Sequence, residues 1–169
     1  SQMLKDEVAL SKEKMKKIDL KLIVKSVVDD FNNIYETKRG IKIEFIDQAK
    51  IDEYLIFGIE NRIEQIIANL LDNSISFSDD NQKILVKIDK DPSNKIILKI
   101  IDQGKGFKEK DTNKIFNRFY SNRPDSFGEH SGLGLNIVKN LVELHGGIIN
   151  ASNNANQKGA NVEIIFPET

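Results

Sequence analysis

Two asparagines one helical turn apart, Asn69 and Asn73, lie beside an apolar stripe in NRIEQIIANLLDNSISFS. Asparagine is a mediocre helix former, so a pair next to the buried face is an unusual choice. One interpretation is ordinary surface asparagine. The other is a set of neutral oxygen donors facing a hydrated Mg²⁺, which prefers oxygen ligands and keeps several waters. This segment alone leaves both interpretations open.

An acidic residue followed by spaced glycines forms the second segment, IILKIIDQGKGF, in which an apolar strand delivers Asp102 ahead of Gly104 and Gly106. The carboxylate could cap the turn, or it could accept a hydrogen bond from an exocyclic amine such as that of adenine. The glycines allow backbone conformations that other residues avoid, so the chain could approach a flat ligand closely. The pattern is weak by itself.

A second glycine pair, Gly132 and Gly134, opens a helix in HSGLGLNIVKNLVELHGG. The free N–H groups of a first helical turn and the positive end of the helix dipole favour phosphate without any lysine. No G-K-[ST] follows, so this is not a P-loop. A dinucleotide fingerprint requires a strand immediately before the glycines, and none is predicted here.

Periodicity and turn residues predict the elements that position these segments. Asp19 is a candidate N-cap, and Gly40 ends the first connection. The predicted helices are 19–35, 61–77 and 135–145; the predicted strands are 41–45, 54–57, 83–88, 95–101, 148–151 and 162–166. Residues 102–133 have the composition of a loop. The grouping predicts an α+β fold, with a mixed, mostly antiparallel sheet covered on one face by about three helices.

Composition removes several classes of function. The chain has 169 residues, 39% of them hydrophobic, and a net charge of -1, so no basic excess exists to attract nucleic acid. No apolar run approaches the roughly 20 residues that span a bilayer, and the charged N-terminus is no secretory signal. Zero cysteines exclude disulfides and thiol catalysis. The two histidines are His130 and His145.

The order of these segments is more specific than any one of them. Over residues 18–167 the sequence closely resembles the catalytic ATP-binding domain of sensor histidine kinases, in the gyrase, Hsp90, histidine kinase and MutL (GHKL) superfamily. NRIEQIIANLLDNSISFS resembles the N box, IIDQGKGF the G1 box, IFNRFYS the F box and SGLGLNIVKNLVELHGG the G2 box. The resemblance implies the two-layer α/β sandwich known as the Bergerat fold, with ATP and Mg²⁺ as cofactors.

The resemblance also implies roles for residues. Asn73 would coordinate Mg²⁺, with Asn69 supporting the phosphates or the metal's waters, and Asp102 would accept from the adenine amine. The implied catalytic residues are Asn69, Asn73 and Arg118. The implied nucleotide-binding set is Asn69, Asn73, Phe77, Asp102, Gly104, Lys105, Gly106, Arg118, Gly132, Leu133, Gly134 and Leu135.

A lid over the nucleotide is implied as well. Gly128 through Gly134 would form its mobile part and hinge, and Phe116 and Phe119 would anchor it. We expect residues 107–131 to be poorly ordered without nucleotide, because the segment is polar and holds few core residues.

Two positions depart from the family pattern. Phe77 stands where tyrosine usually packs on adenine, so stacking survives and the hydroxyl does not. Ser76 stands where a lysine commonly reaches the phosphates, and serine cannot supply that charge. Arg118, or Lys105 and Arg123, are candidate replacements, and the sequence does not choose between them.

Asn69 also favours one branch of the superfamily. Hydrolytic members have a glutamate there that activates water, whereas asparagine cannot act as a general base. The expected reaction is therefore transfer of the γ-phosphoryl group to a histidine. The family's acceptor histidine lies next to an acidic residue in a helical segment before this domain, and neither local histidine fits. His145 is expected to be a helix-end residue compatible with the dipole, and His130 to lie in the lid.

The expected organisation follows from that resemblance. Residues 1–17 would be the remnant of the dimerisation and phosphoacceptor helix with its linker, and 18–169 the catalytic domain, inactive alone in autophosphorylation. Expected partners are ATP, the phosphoacceptor domain of the same or a partner subunit, and a response regulator receiver domain. The parent would be a homodimeric, membrane-bound bacterial sensor with this portion in the cytoplasm, and the fragment itself could be monomeric.

Three other interpretations compete with this one. An anti-sigma-factor type serine kinase shares the fold but needs no helical acceptor domain, so the helical stripe in 1–17 weighs against it. A degenerate module that only docks a partner is opposed by Asp102 and Asn73 and favoured by Ser76. A generic α/β domain with incidental glycines would need four motifs in order by chance.

Overall fold

The computed structural model of the chain describes residues 15–117 and 133–169. The α-helices in these residues are α1 (Leu20–Arg39), α2 (Glu60–Phe77) and α3 (Leu133–Leu144), and a 3₁₀ helix covers Thr112–Phe116. The strands are β1 (Lys16–Asp19), β2 (Lys42–Asp47), β3 (Leu55–Gly58), β4 (Lys83–Lys90), β5 (Ile96–Asp102), β6 (Ile148–Asn153) and β7 (Ala160–Phe166). Every predicted helix and strand is present, with ends shifted by a few residues.

Five strands form the main sheet in the order β2-β4-β5-β7-β6. The β2–β4 pair is parallel, and the other three pairs are antiparallel. This confirms the mixed, mostly antiparallel sheet expected from the sequence. Strands β4 and β5 pair directly across their turn, whereas β7 reaches β5 only after the chain has supplied α3 and β6.

The three helices share one hydrophobic core with the main sheet. Helix α2 packs against α1, α3 and β5, so it is the central helix of its layer. Strand residues alternate accordingly, since Ile96, Leu98 and Ile100 are buried while the residues between them are half-buried. The two-layer α/β sandwich is thereby confirmed, because one face of the sheet carries the core residues and the helices cover that face.

The ends of α1 follow local rules of helix capping. Asp19 accepts a hydrogen bond from the Lys21 N–H at 3.0 Å, which confirms the predicted N-cap. Gly40 ends the helix in the left-handed conformation, with φ of 65°. The helix runs past the predicted end at residue 35, because the apolar stripe stops there while the stop signal comes only at Gly40.

A two-stranded ribbon is paired separately from the main sheet. Strands β1 and β3 are antiparallel, with Lys16 opposite Gly58 and Lys17 opposite Phe57. Residues 16 and 17, which the sequence analysis placed in the helix remnant and its linker, are extended because they pair with β3; residues 1–14 lie outside the described part, and the remnant itself stays a prediction. The boundary expected between 17 and 18 falls inside this strand. Among the described residues, no helix has both the length and the apolar character needed to cross a membrane.

Candidate nucleotide site

Asp102, the last residue of β5, lies on the helix-covered face of the sheet and is only 3% exposed. Its Oδ1 accepts hydrogen bonds from the Gly104 N–H at 2.9 Å and the Ala160 N–H at 3.1 Å. No donor reaches Oδ2 within residues 15–117 and 133–169. Burial raises the pKa of this carboxyl group, and the two amide donors oppose that shift. One oxygen is thus fixed by the backbone, and the other remains an acceptor for a ligand donor.

The glycines after Asp102 let the loop pack against the end of α2. A Cβ atom on Gly104 would lie 2.2 Å from the Phe77 carbonyl oxygen, and Gly106 has φ of +77°. The sequence predicted close approach of these glycines to a ligand. At Gly104 the close neighbour is instead the protein's own backbone, which ties the Asp102 loop to the helix that carries the two asparagines.

Phe77 and Phe107 form an aromatic pair where that loop meets α2. Their ring centroids are 6.1 Å apart with an interplanar angle of 75°, an edge-to-face arrangement. Phe107 is buried, whereas Phe77 is half-buried. A half-exposed ring braced from one side can present its other surface to a flat ligand, which agrees with the place expected for Phe77.

The two asparagines of α2 lie where the helical periodicity placed them. Asn73 is 4% exposed, and Asn69 is half-buried at the edge of the same face. The Asn69 Nδ2 donates to the Gly134 carbonyl oxygen at 3.5 Å, so this side chain also links α2 to the first turn of α3.

Ser76, which stands in place of the family's lysine, is buried in α2. Its Oγ donates to the Asn73 carbonyl oxygen at 2.7 Å. The hydroxyl is therefore engaged inside the helix and does not replace the lysine as a phosphate contact.

The first turn of α3 is the element that the sequence predicts to bind phosphate. The helix begins at Leu133, and a Cβ atom on Gly134 would meet no atom of residues 15–117 and 133–169 within 4 Å. The side chain of Leu135 is buried in the core, so only its backbone could face a ligand. The structure thus brings the Asp102 loop and the N-terminus of α3 against α2, the helix that carries Asn69 and Asn73.

Of the basic residues expected near the phosphates, the described part of the chain contains Lys105 alone, which lies in the loop after Asp102. Lys105 is exposed, and its side chain makes no hydrogen bond or ion pair within residues 15–117 and 133–169. Arg118, Arg123 and Gly132 lie outside the described residues. The replacement of the family's lysine by Arg118, or by Lys105 and Arg123, therefore stays a prediction from the sequence.

The segment expected to be a poorly ordered lid begins with a packed stretch. Ile115 and Phe116 are buried, the Thr112 hydroxyl donates to the Ala151 carbonyl oxygen, and the Asn136 Nδ2 donates to the Phe116 carbonyl oxygen at 3.1 Å. Residues 112–116 are thus packed against β6 and α3, and the burial of Phe116 agrees with its expected anchoring role. The other predicted lid residues, Phe119, Gly128 and His130, lie outside the described residues.

His145 lies just after the end of α3, where the sequence predicts a residue compatible with the helix dipole. It is 5% exposed, with Nδ1 2.7 Å from the Leu141 carbonyl oxygen, and its Nε2 accepts from the Ile59 N–H at 3.2 Å. A carbonyl on one side and an N–H donor on the other require the neutral ring protonated at Nδ1. Burial lowers the pKa of His145, against the opposing hydrogen bond to Leu141. His145 is thus a buried neutral link between the end of α3 and the start of α2.

The donor atoms of the site suit a metal that is mostly held by other ligands. The described residues contain no group of three or more His, Asp or Glu side chains placed to hold a metal ion. The amide oxygens of Asn69 and Asn73 are hard, neutral donors, which fit Mg²⁺ carried in with phosphate oxygens and water. They would not hold a bare metal ion in an all-protein cage.

These features together define a class of protein. A buried carboxylate with one open oxygen, a braced aromatic ring, amide donors on a central helix and a helix N-terminus surround one side of an α/β sandwich, as in nucleotide-binding domains that lack a P-loop. The chain belongs to the family of histidine kinase-, DNA gyrase B- and HSP90-like ATPases, whose model matches residues 58–169. It is therefore an ATP-binding domain of the GHKL type.

Curated relatives support the same placement. The chain is 33% identical over 159 residues to the sensor protein ChvG of Rhizobium meliloti, covering 90% of this chain and 27% of that protein. It is 32% identical over 114 residues to the sensor protein kinase PmrB of Pseudomonas aeruginosa, covering 68% of this chain and 24% of that protein. The chain thus spans about a quarter of the length of these relatives.

Solved structures share the fold. The nucleotide-free catalytic domain of the histidine kinase ThkA superposes with a TM-score of 0.78 at 23% identity, covering 92% of this chain and 96% of that one. The mycobacterial sensor histidine kinase MprB superposes with a TM-score of 0.74 at 23% identity, covering 90% of this chain and 97% of that one. At this level of identity the likeness establishes the architecture.

Proposed function

We propose that this domain is the catalytic part of a two-component sensor kinase, and that it transfers the γ-phosphoryl group of Mg²⁺-ATP to a histidine outside the domain, for relay to a response regulator. The observation that carries the proposal is Asp102, a buried carboxylate with one oxygen fixed by two backbone amides and the other open. The named relatives are sensor proteins, and one ThkA structure contains the response regulator TrrA. Full-length ShkA has been solved in complex with AMPPNP.

Each part of the site has a task in this scheme. Asp102 Oδ2 accepts a hydrogen bond from the adenine amine, and Phe77 packs on the purine ring. Asn73, with Asn69, would hold Mg²⁺ through its amide oxygen, and the metal supplies charge neutralisation on the phosphates. The first-turn amides of α3 donate to phosphate oxygens.

Asn69 supports transfer rather than hydrolysis. Its amide cannot remove a proton from water, and its Nδ2 is directed at Gly134. Orientation of the γ-phosphoryl group toward an incoming imidazole then becomes the main contribution of the protein, since little covalent chemistry is required of it. The parent is proposed to be a membrane-bound, homodimeric bacterial sensor that keeps this domain in the cytoplasm.

A docking module without catalysis is the second candidate. Ser76 favours it, because the position that commonly carries a phosphate-binding lysine is a buried serine bonded to the Asn73 carbonyl. Phosphotransfer separates the two candidates. Asn73→Ala should abolish Mg²⁺-dependent labelling of a supplied acceptor domain, while Asn150→Ala, on the exposed side of β6, should not. Absence of transfer by the unmodified domain would favour the docking module.

Purine selectivity tests the site itself. GTP presents a carbonyl where ATP presents an amine, so binding GTP leaves Asp102 Oδ2 unpaired at a cost of about 1–3 kcal/mol. ATP should therefore displace a labelled ATP analogue roughly tenfold to a hundredfold better than GTP. Asp102→Asn replaces that acceptor with a donor and should narrow or reverse the preference, whereas Asp52→Asn, on an exposed loop, should preserve it. Equal displacement by ATP and GTP in the unmodified domain would remove Asp102 from adenine recognition.

A further inference from the structure

Residues 153–160, with the sequence NNANQKGA, comprise the last residue of β6, the connecting residues and the first residue of β7; this segment, called the turn below, packs against the loop that runs from Asp102 to Phe107. Most of these residues are polar, and none of them belongs to the four family motifs. In the structure its first two side chains, Asn153 and Asn154, hold opposite ends of that loop. The turn lies about fifty residues away in the chain, so only the pairing of β7 with β5 brings the two together.

Asn153 holds the Phe107 end of the loop. Its Oδ1 accepts from the Phe107 N–H at 2.7 Å, and its Nδ2 donates to the Phe107 carbonyl oxygen at 3.1 Å. Both backbone groups of Phe107 are thus satisfied by one side chain. A Cβ atom on Gly106 would lie 2.7 Å from the Asn153 Oδ1, so a residue with a side chain there would push this contact apart.

Asn154 holds the Asp102 end. Its Nδ2 donates to the Asp102 carbonyl oxygen at 3.0 Å and to the Lys158 carbonyl oxygen at 3.1 Å. A Cβ atom on Gly159 would lie 1.9 Å from the Asp102 carbonyl oxygen, so glycine is needed for the turn to come this close. The next residue, Ala160, donates its N–H to Asp102 Oδ1. The turn therefore contacts both the backbone and the side chain of Asp102.

We infer that Asn153 and Asn154 are positioning residues for purine selectivity, acting through Asp102 and Phe107 rather than by touching nucleotide. The inference rests on the proposed role of Asp102 in adenine recognition. Asp102 ends its strand, so β-sheet pairing does not fix the residues that follow. With Oδ1 held by two amides and the main chain held by Asn154, the position of Oδ2 as an acceptor is set. Hydrogen-bond distances vary over only about half an ångström, so small displacements reduce the strength of the bond.

The test uses an isosteric change that removes the amide donor and adds one negative charge, and the added charge is matched in the control. Asn154→Asp cannot donate to the Asp102 carbonyl, and Asn153→Asp cannot donate to the Phe107 carbonyl. Asn156→Asp adds the same charge to the same turn at an exposed residue that makes no hydrogen bond within the described part of the chain, so it is the matched control. ATP and GTP are each titrated against a labelled ATP analogue, and hydrogen exchange is followed at the Gly104 and Ala160 amides.

The ratio of the GTP Kd to the ATP Kd is the decisive readout, because general destabilisation would weaken both nucleotides alike. We expect the ratio to fall about fivefold or more in Asn154→Asp, with GTP affinity nearly unchanged and faster exchange at both amides. Asn156→Asp should keep the unmodified ratio. Asn153→Asp releases the other end of the same loop, so it should also lower the ratio, and it serves as the second variant if Asn154→Asp does not fold.

Two outcomes would overturn the inference. One is an unmodified ratio in the folded variants at Asn153 and Asn154. The other is an equal loss of ATP and GTP affinity, which would make the turn a general support of the fold. Both differ from failure of the proposed function, in which the unmodified domain itself would show no preference for ATP.

Discussion

His145 makes the stability of this domain depend on pH in a direction that its helix-end position would not suggest. The buried ring lies between a carbonyl acceptor at Leu141 and an N–H donor at Ile59. Protonation of Nε2 would place two donors against each other in a buried space, so the folded protein resists it. Burial lowers the pKa of His145 in agreement with this geometry.

The sign of the effect follows from proton counting. An unfolded chain protonates this histidine below a pH of about 6.5, while the folded chain does so only at lower pH. Between those two values the unfolded state binds more protons, so folding stability falls as the pH falls. The slope from one group is at most about 1.4 kcal/mol per pH unit, and the contribution is fully present above pH ~6.5.

Urea unfolding between pH 5 and 8 measures this contribution. His145→Gln should cost about 1–3 kcal/mol at pH 8, because the Ile59 N–H loses its partner. The free-energy gap between the unmodified protein and the variant should then shrink as the pH is lowered, since only the unmodified protein carries the titrating ring. His130→Gln, at the other histidine, tests whether the slope belongs to His145. A variant at 145 that keeps the unmodified pH slope would refute the reasoning.

Two further predictions concern the packing around the site. Gly104→Ala places a methyl group 2.2 Å from the Phe77 carbonyl oxygen. The variant should be less stable by about 1–3 kcal/mol in urea unfolding and should bind ATP more weakly in a nucleotide titration. An unchanged free energy of unfolding and an unchanged ATP affinity would show that the loop can move freely. Arg39 donates to the carbonyls of Ile75 and Ser78 at 2.8 and 2.7 Å, closing the end of α2. Arg39→Ala should lower the free energy of unfolding by about 1.5–3 kcal/mol. Lys38→Ala, at the exposed neighbouring residue, is the control. A comparable decrease in that variant would show that the lost positive charge, and not the loss of these hydrogen bonds, causes the effect.

The sequence by itself was sufficient for the outline of this protein. Apolar periodicity places the helices, because burial of one helix face is written directly into residue spacing. The alternation in β5 delivers Asp102 to the buried face, and the order of four motifs identifies the family. The two positions that depart from the pattern, Ser76 and Phe77, were also visible without coordinates.

The sequence did not predict the partners of short polar segments and side chains, because each of them has several possible partners. Nothing in KKID predicts the pairing of β1 with β3, since a strand of four residues is too short to show a clear alternation of apolar and polar residues. His145 could have been a charged cap until the start of α2 was seen against its ring. For Ser76, only the structure shows that the hydroxyl turns back to the Asn73 carbonyl.

Asp102 and Asn154 illustrate the difference between a feature that the sequence predicts and one that only the tertiary structure shows. A carboxylate ending an apolar strand and followed by spaced glycines is a local pattern, and local patterns can be read from spacing. Asn154 lies in a polar turn 52 positions away, and its amide meets the Asp102 carbonyl only because β5 and β7 are neighbours in the sheet. Sequence therefore determined which side chain could recognise a ligand donor, and tertiary pairing decided what holds that side chain in place, because contacts between distant segments depend on strand order and register.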